Sequence, residues 1–471
     1  MTDVSRRNIL AGLGAATALT PDLVYASPEK APPPNIIFIM ADDLGYADLS
    51  CYGARSIKTP HLDHLAEQGL RLTDGYSNSP VCSATRTGLI TGCYQYRFRC
   101  GLEEPISLRN FGLPADTPTL PSRLRAMGYM TSLVGKWHLG NMPEYGPLKS
   151  GYDRFFGIQE GGADYFTHRL TFGSVTSSGL IEGDTPVERH GYLTDLLGAK
   201  AIEEVAYAVE QRRPIMLSLH FTAPHWPWEG PEDEQLSKQI ANPVHLDGGS
   251  LATYAKMVES MDANIGRLLK ELDRLGIADN SIVIFTSDNG GERFSDTWPF
   301  TGKKTELLEG GIRVPVIMRW PARIAAGKTC SQVMISMDFV PTLLAAAGAG
   351  PDSIAGFDGE DLLDVLTGHA PPRERTLFWR YKAADQAAVR QGSWKYLKVM
   401  DREWLFNLAE DQHERANYAE RDRKRFEMLK AKFAEWNATM LAYPADSATH
   451  SISEYLPDRY RAEPSEMIKP R

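Results

Sequence analysis

Cysteine is scarce in this chain, with five in 471 residues, too few for a disulfide scaffold. The count is odd, so one thiol at least has no partner within the chain. Basic residues are not in excess either: 51 Lys+Arg stand against 60 Asp+Glu, a formal charge of -9. That balance argues against bulk nucleic-acid binding, which needs a basic surface to displace counterions. It leaves room for a local anion pocket, because net charge does not describe local fields. A membrane span needs about 20 consecutive apolar residues; residues 9–19 supply 11, and no later segment is long enough. Internal repeats and low-complexity tracts are absent. The composition is that of a globular protein, 42% hydrophobic and 24% charged, which excludes collagen-like, coiled-coil and wholly disordered chains. At roughly 150 residues per domain, the length allows two or three domains.

The first segment reads as an address. Arg6 and Arg7 precede the apolar residues 9–19, and Val24-Tyr25-Ala26 follows, the order of a charged region, a short apolar region and a small-residue cleavage site. Ser5-Arg6-Arg7-Asn8-Ile9-Leu10 resembles a twin-arginine signal, which implies export of an already folded protein, to the periplasm. Residues 1–26 are therefore expected to be a signal peptide and 27–34 a proline-rich linker.

Beyond the linker, Asn35-Ile36-Ile37-Phe38-Ile39-Met40 is a continuous apolar run of the kind found in strands buried on both faces. Similar runs recur at residues 131–134, 214–221 and 281–286, with helical patterns between them at 61–69, 195–209 and 254–275. Alternating strands and helices predict an α/β fold, a large mostly parallel sheet sandwiched by helices. Ligands in such sheets bind beyond the carboxyl ends of the strands. From Leu377 the texture changes to short alternating runs at 377–381, 386–390, 394–398 and 404–406, followed by a charged helical stretch at 421–440. These predict a larger domain over 35–365 and a smaller C-terminal subdomain, an antiparallel sheet plus helix, over 366–471.

Two strand ends carry hard oxygen ligands: Asp42-Asp43 after the first run, and Asp288-Asn289 after the run at 281–286. Turn chemistry explains either pair alone. Brought together, three carboxylates and an amide suit Ca2+ or Mg2+ rather than a soft metal. Cys82-Ser83-Ala84-Thr85-Arg86-Thr87-Gly88 sets a thiol four residues before an arginine, on one face of a helix. A buried structural cysteine and a thiolate nucleophile are both compatible with that spacing. Nearby in kind are Lys136 and His138, which face one way if their segment is extended, together with His225 and Lys304. Converging on a metal, these cations would receive a compact anionic ester.

Taken in order, these motifs resemble the type I, formylglycine-dependent, arylsulfatase-like sulfatases of the alkaline-phosphatase superfamily. The resemblance runs from about residue 35 to 419 through Cys82-Ser83-Ala84-Thr85-Arg86-Thr87-Gly88, Gly135-Lys136-Trp137-His138-Leu139-Gly140, Ser287-Asp288-Asn289-Gly290-Gly291, Gly302-Lys303-Lys304 and Glu309-Gly310-Gly311-Ile312-Arg313-Val314-Pro315. The family's usual Cys-x-Pro-Ser-Arg core appears here with Ala84 and Thr85. The resemblance implies an alkaline-phosphatase-like fold and hydrolysis of organic sulfate monoesters, aryl or carbohydrate, to alcohol and sulfate. It implies that a formylglycine-generating maturation enzyme converts Cys82 to an aldehyde. One hydroxyl of the aldehyde's hydrate attacks sulfur, and the second drives expulsion of sulfate. By the same resemblance, Asp42, Asp43, Asp288, Asn289 and the modified Cys82 hold Ca2+ (Mg2+ as the alternative). Arg86 stabilises the hydrate, Lys136 and Lys304 bind sulfate oxygens, His138 is the base and His225 the acid.

The substrate is less specified. Trp137, Trp226, Trp228 and Trp298 lie in or beside these motifs and are candidates for an aromatic platform, with core packing the competing role for each. Asp164, His168 and Arg169 in a glycine-rich loop are candidates for contact with the leaving group. A phosphonate or phosphate ester hydrolase would share the same machinery, and a non-catalytic sulfoglycan-binding protein would keep an unmodified thiol. With Cys82 converted, Cys51, Cys93, Cys100 and Cys330 form an even set available for pairing after export.

Overall fold

The computed structural model describes residues 32–447 and 449, apart from 106–109, 173–174 and 241–248. The signal peptide expected at 1–26 and most of the linker lie outside the described residues. Among the described residues no helix is long and apolar enough to cross a membrane.

The first strand, Asn35–Ala41, shows why its run is apolar throughout. Ile37, Ile39 and Ala41 enter one hydrophobic core, while Ile36, Phe38 and Met40 enter another, because successive side chains of a strand leave on opposite faces. On one face it meets the long helices Leu193–Glu210 and Leu251–Arg274. The latter buries Tyr254, Met257, Val258, Met261, Ile265, Leu268 and Leu272 at helical spacing, and Ser250 caps its start by accepting a hydrogen bond from the Thr253 amide. On the other face, helices Leu120–Ala126 and Phe339–Ala346 contribute Leu120, Leu124, Phe339, Val340, Leu343 and Leu344.

Among the described residues the sheet has ten strands. Its centre is parallel as expected: Ser281–Ser287, Asn35–Ala41, Ile215–His220, Met130–Lys136 and Arg154–Ile158 lie side by side in that order. The flanks make it a mixed sheet. Val316–Arg319 runs antiparallel beside Ser281–Ser287 and against Leu70–Leu72, and Ile181–Glu182 runs antiparallel beside Arg154–Ile158. These flanking strands have two to four residues, too few to show a hydrophobic period.

The C-terminal sheet is a four-stranded antiparallel meander, Thr376–Tyr381, Gln386–Gln391, Trp394–Val399 and Arg402–Asn407. Helix Arg423–Asn437 covers one side of it through Phe426 and Leu429. The other side shares a core with the main body, where Leu377, Trp379 and Leu397 pack with Tyr76, Leu307 and Ile312. All five cysteines are free thiols, so the even set open to pairing forms no disulfide here.

One buried acid sets a stability prediction. Glu229 is fully buried, accepts the Tyr165 amide at 2.9 Å, and its carboxyl is pushed up to about 8 by burial and by Asp164. Between its ordinary value of 4.5 and about 8, the folded protein binds a proton that the unfolded chain releases, so this contribution to stability falls as pH rises. Glu229→Gln is expected to remove it: thermal melts should show the wild type losing Tm relative to the variant across that window. Parallel curves would contradict it.

Candidate active site

The four central strands end in a row. Ala41 is in register with Ser287, Met40 with His220, and His220 with Gly135. The residues immediately beyond them are Asp42 and Asp43, Asp288 and Asn289, and Thr222 to His225, with Lys136 closing its own strand. Parallel pairing thus delivers residues from four distant parts of the chain to one edge of the sheet.

The expected ligands meet there and are all buried. Ligand atoms of Asp42, Asp43, Cys82 and Asp288 lie within 4.8 Å of one another. The Asp43 amide donates to Asp288 Oδ1 at 3.2 Å, and Asn289 Nδ2 donates to Asp43 Oδ1 at 2.7 Å. Asn289 Oδ1 is buried with no hydrogen-bond partner. A buried amide oxygen in that state is destabilising unless it serves a ligand, and hard oxygens around it fit a divalent cation.

Three permanent cations balance the three carboxylates. Arg86 forks onto Asp288 Oδ2 through Nη2 (2.8 Å) and Nε (3.2 Å), and donates from Nη1 to the Lys136 carbonyl at 3.1 Å. Lys136 Nζ lies 2.6 Å from Asp42 Oδ2, and Lys304 Nζ 2.6 Å from Asp43 Oδ2. Burial alone would raise Asp43, but Lys304, His225 and Lys136 outweigh it and hold this carboxyl below the usual carboxylate range. Asp288 is pushed up to about 6 by burial and by Asp42, against the pull of Arg86.

Cys82 opens the helix Cys82–Thr91, entered from an extended Val81 and closed by Gly92 in the left-handed conformation. Its Sγ lies 3.3 Å from Asp42 Oδ1. Burial, with Asp288 and Asp42, pushes the thiol well above its ordinary value, so the unmodified side chain stays protonated and is a poor nucleophile. Between a structural cysteine and a thiolate nucleophile, the thiolate is disfavoured.

Two histidines complete the pocket. His138 follows its strand in a left-handed conformation (φ 55°) rather than extended, so it reaches the site by a turn and not by sharing a strand face with Lys136. Burial, Lys136 and Arg86 hold it well below its ordinary value, and its Nδ1 is buried without a partner. His225 Nε2 lies 3.6 Å from Asp43 Oδ2, and its Nδ1 is 2.6 Å from the Trp226 carbonyl. A carbonyl only accepts, so Nδ1 carries the hydrogen and Nε2 is the titrating atom. Burial and Lys304 lower this histidine to about 3.

Some candidates fall elsewhere. Asp164 is spent on the amides of Phe166 and Thr167 and on Ser237, and His168 Nε2 on the Gly191 carbonyl. Arg169 reaches Glu188 at 3.5 Å. This loop meets the site through its glycines instead: a Cβ on Gly161 would lie 2.7 Å from His138, and one on Gly162 3.2 Å from His225. Trp137, Trp226 and Trp228 are buried; only Trp298 of the four is exposed, at 62%. Two residues outside the expected set also stand here: His220, whose Nδ1 is 3.4 Å from Arg86, and Glu292, 3.9 Å from Lys304. Glu292 had a signal in its position directly after Gly290-Gly291.

A family model described as sulfatase matches residues 34–349. The chain belongs to the sulfatase family. It is a sulfuric ester hydrolase of the arylsulfatase type, with the alkaline-phosphatase-like fold. A second model, N-sulphoglucosamine sulphohydrolase C-terminal, matches residues 300–438. Human arylsulfatase A is 33% identical, over 78% of this chain and 75% of its own. N-acetylgalactosamine-6-sulfatase of Canis lupus familiaris is 31% identical, over 82% and 73%. The crystal structure of Ps i-CgsB in complex with k-i-k-neocarrahexaose superposes with a TM-score of 0.80 at 29% identity, over 92% of this chain and 98% of that one.

Arg86 gives this site its stability prediction. Arg86→Ala leaves Asp288 buried without its cation, and breaking such a pair is expected to lower unfolding free energy by about 3–5 kcal/mol. Denaturant titration checks this; an unchanged midpoint would show that the pair carries no stability.

Proposed function

We propose that this sulfatase acts on saccharide sulfate esters, with Cys82 converted to formylglycine and a divalent cation, Ca2+ before Mg2+, held by Asp42, Asp43, Asp288, Asn289 and the modified Cys82. The observation that carries the reading is the convergence of Cys82, three carboxylates, three permanent cations and two histidines at one sheet edge. The saccharide preference is supported by the neocarrahexaose held by Ps i-CgsB. When present, the aldehyde hydrate supplies the attacking hydroxyl and a second ionisable one, and the cation supplies charge neutralisation and polarisation.

This chain's own side chains do the rest. Lys136 and Lys304 present ammonium groups to the sulfate oxygens, and Arg86 steadies the charge near residue 82. Burial and the cations around His138 keep it neutral, so its ring has a nitrogen open to a proton. Burial and Lys304 keep His225 neutral too. An arriving sulfate anion favours its protonated form, whose Nε2 then hands the proton to the departing alkoxide.

The same reading extends along the chain. Residues 1–26 act as a twin-arginine signal and 27–34 as a linker. Residues 35–365 form the catalytic domain and 366–471 the smaller subdomain. Cys82 is modified by a formylglycine-generating enzyme before export to the periplasm.

Mass spectrometry of the Cys82 peptide from protein made in its native host is expected to find the aldehyde. A pure thiol in protein that turns over sulfate esters would overturn the mechanism. His225→Ala is expected to slow saccharide sulfates, whose alkoxides leave poorly, by about a hundredfold or more, and activated aryl sulfates far less. Equal losses on both substrates would contradict its role as the acid.

A further inference from the structure

A single exposed hydrophobic residue is ordinary on a protein surface. What sets Trp298 apart is that its segment is fastened on every side. The Trp298 amide donates to Asp296 Oδ1 at 2.9 Å. The indole rests against His413, ring centroids 4.9 Å apart and planes at 53°. Thr301 Oγ1 donates to the His413 carbonyl at 2.7 Å, tying the loop to the same neighbour. A bulky amphipathic ring that is already fixed loses little freedom when a ligand settles on it.

The loop is also fastened to the active site. Asp296 donates its amide to Asp48 Oδ1 at 2.8 Å, and its carbonyl accepts the Ala47 amide at 2.9 Å. Asp296 sits so tightly on Gly45 that a Cβ there would come within 2.4 Å of the Asp296 carbonyl oxygen. Gly45 is two residues beyond Asp43, and Trp298 two beyond Asp296; each step spans at most about 7 Å. The loop begins at Glu292 and ends at Lys304, which lie 3.9 Å apart, and Lys304 in turn reaches Asp43 at 2.6 Å. Trp298 therefore stands at the carboxyl-end face of the sheet, outside the sulfate pocket and within reach of a substrate that extends from it. Exposed Arg293, its guanidinium 5.2 Å from the Phe294 ring centroid, adds positive charge to the same loop. That charge suits an anionic chain.

We propose that Trp298, backed by His413, is a stacking subsite for a pyranose ring neighbouring the sulfated residue of an anionic oligosaccharide. The subsite rests on the saccharide reading above and adds to it a chain longer than one sugar. The apolar face of the sugar ring lies on the indole, while the sulfate ester remains in the pocket of Lys136 and Lys304.

The test compares wild type, Trp298→Ala and Trp298→Phe on 4-nitrophenyl sulfate and on sulfated carrageenan, chondroitin and heparan oligosaccharides, each with its monosaccharide sulfate. Trp298→Ala is expected to lower kcat/KM about tenfold on the oligosaccharide that wild type hydrolyses fastest, mainly through KM. Its rates on the monosaccharide and on 4-nitrophenyl sulfate should be unchanged, and Trp298→Phe should keep most of the oligosaccharide rate. Equal losses on all substrates, or no loss on any, would overturn the subsite and leave sulfatase activity standing. Hydrolysis of 4-nitrophenyl sulfate with no saccharide accepted by wild type would overturn the saccharide reading and the subsite with it. No hydrolysis of any sulfate ester would overturn the reading of the pocket itself.

Discussion

Three carboxylates share one buried pocket, and the rest of the molecule is arranged around that repulsion. Asp42, Asp43 and Asp288 are all withdrawn from water. Like charges so close in a poorly polarisable interior strongly favour protonation or rearrangement. Here they are met by Arg86, Lys136 and Lys304, each from a different part of the chain. No local segment provides this balance. It exists only when the parallel strands, the Cys82 helix and the 302–308 loop are all in place, so the site and the fold form together. The pocket is in turn well suited to an anionic ester, because its cations are already desolvated and aimed inward.

The C-terminal sheet belongs to the same scheme. Lys395, fully buried on its third strand, donates to Glu309 Oε1 at 2.9 Å and forms an ion pair with Glu414 Oε1 at 2.8 Å. Glu309 is held again by Arg313 at 3.2 Å and by the Tyr76 hydroxyl, while Asp74 pairs with Arg313 and Arg390. Three acids and three bases are thus locked between the two sheets. The loop they fix carries Lys304, whose amide donates to Gly291 beside the Asp288 turn at 3.0 Å. Buried ion pairs of this kind add little net stability, yet removing one partner is strongly destabilising. Their effect is to specify where Lys304 stands.

Much of this was legible in the chain. The run at 35–40 is apolar because both faces of its strand are covered, and Asp42-Asp43 and Asp288-Asn289 stood out because hard ligands followed such runs directly. Family motifs supplied the roles of Cys82, Lys136, His138, His225 and Lys304, which spacing alone left open. The antiparallel flanks were not legible, since strands such as Ile181–Glu182 are too short to carry a period. Nor was the turn at His138, whose left-handed backbone has no compositional mark. Asp164 and His168 looked chemical but serve backbone groups of their own loop and its neighbours. Among the tryptophans, sequence offered four equivalent candidates; burial, a property of the whole fold, separates Trp298 from the other three.

Sulfate and phosphorus esters present similar anionic tetrahedra to such a pocket, so the choice between them tests the account most directly. The measurement is kcat/KM for metal-loaded protein from its native host on three matched aryl esters: a sulfate monoester, a phosphate diester and a phosphonate monoester. Lys136, Lys304 and Arg86 suit any of these three monoanions, and membership of the sulfatase family predicts a clear preference for the sulfate. A clear preference for either phosphorus ester would contradict it.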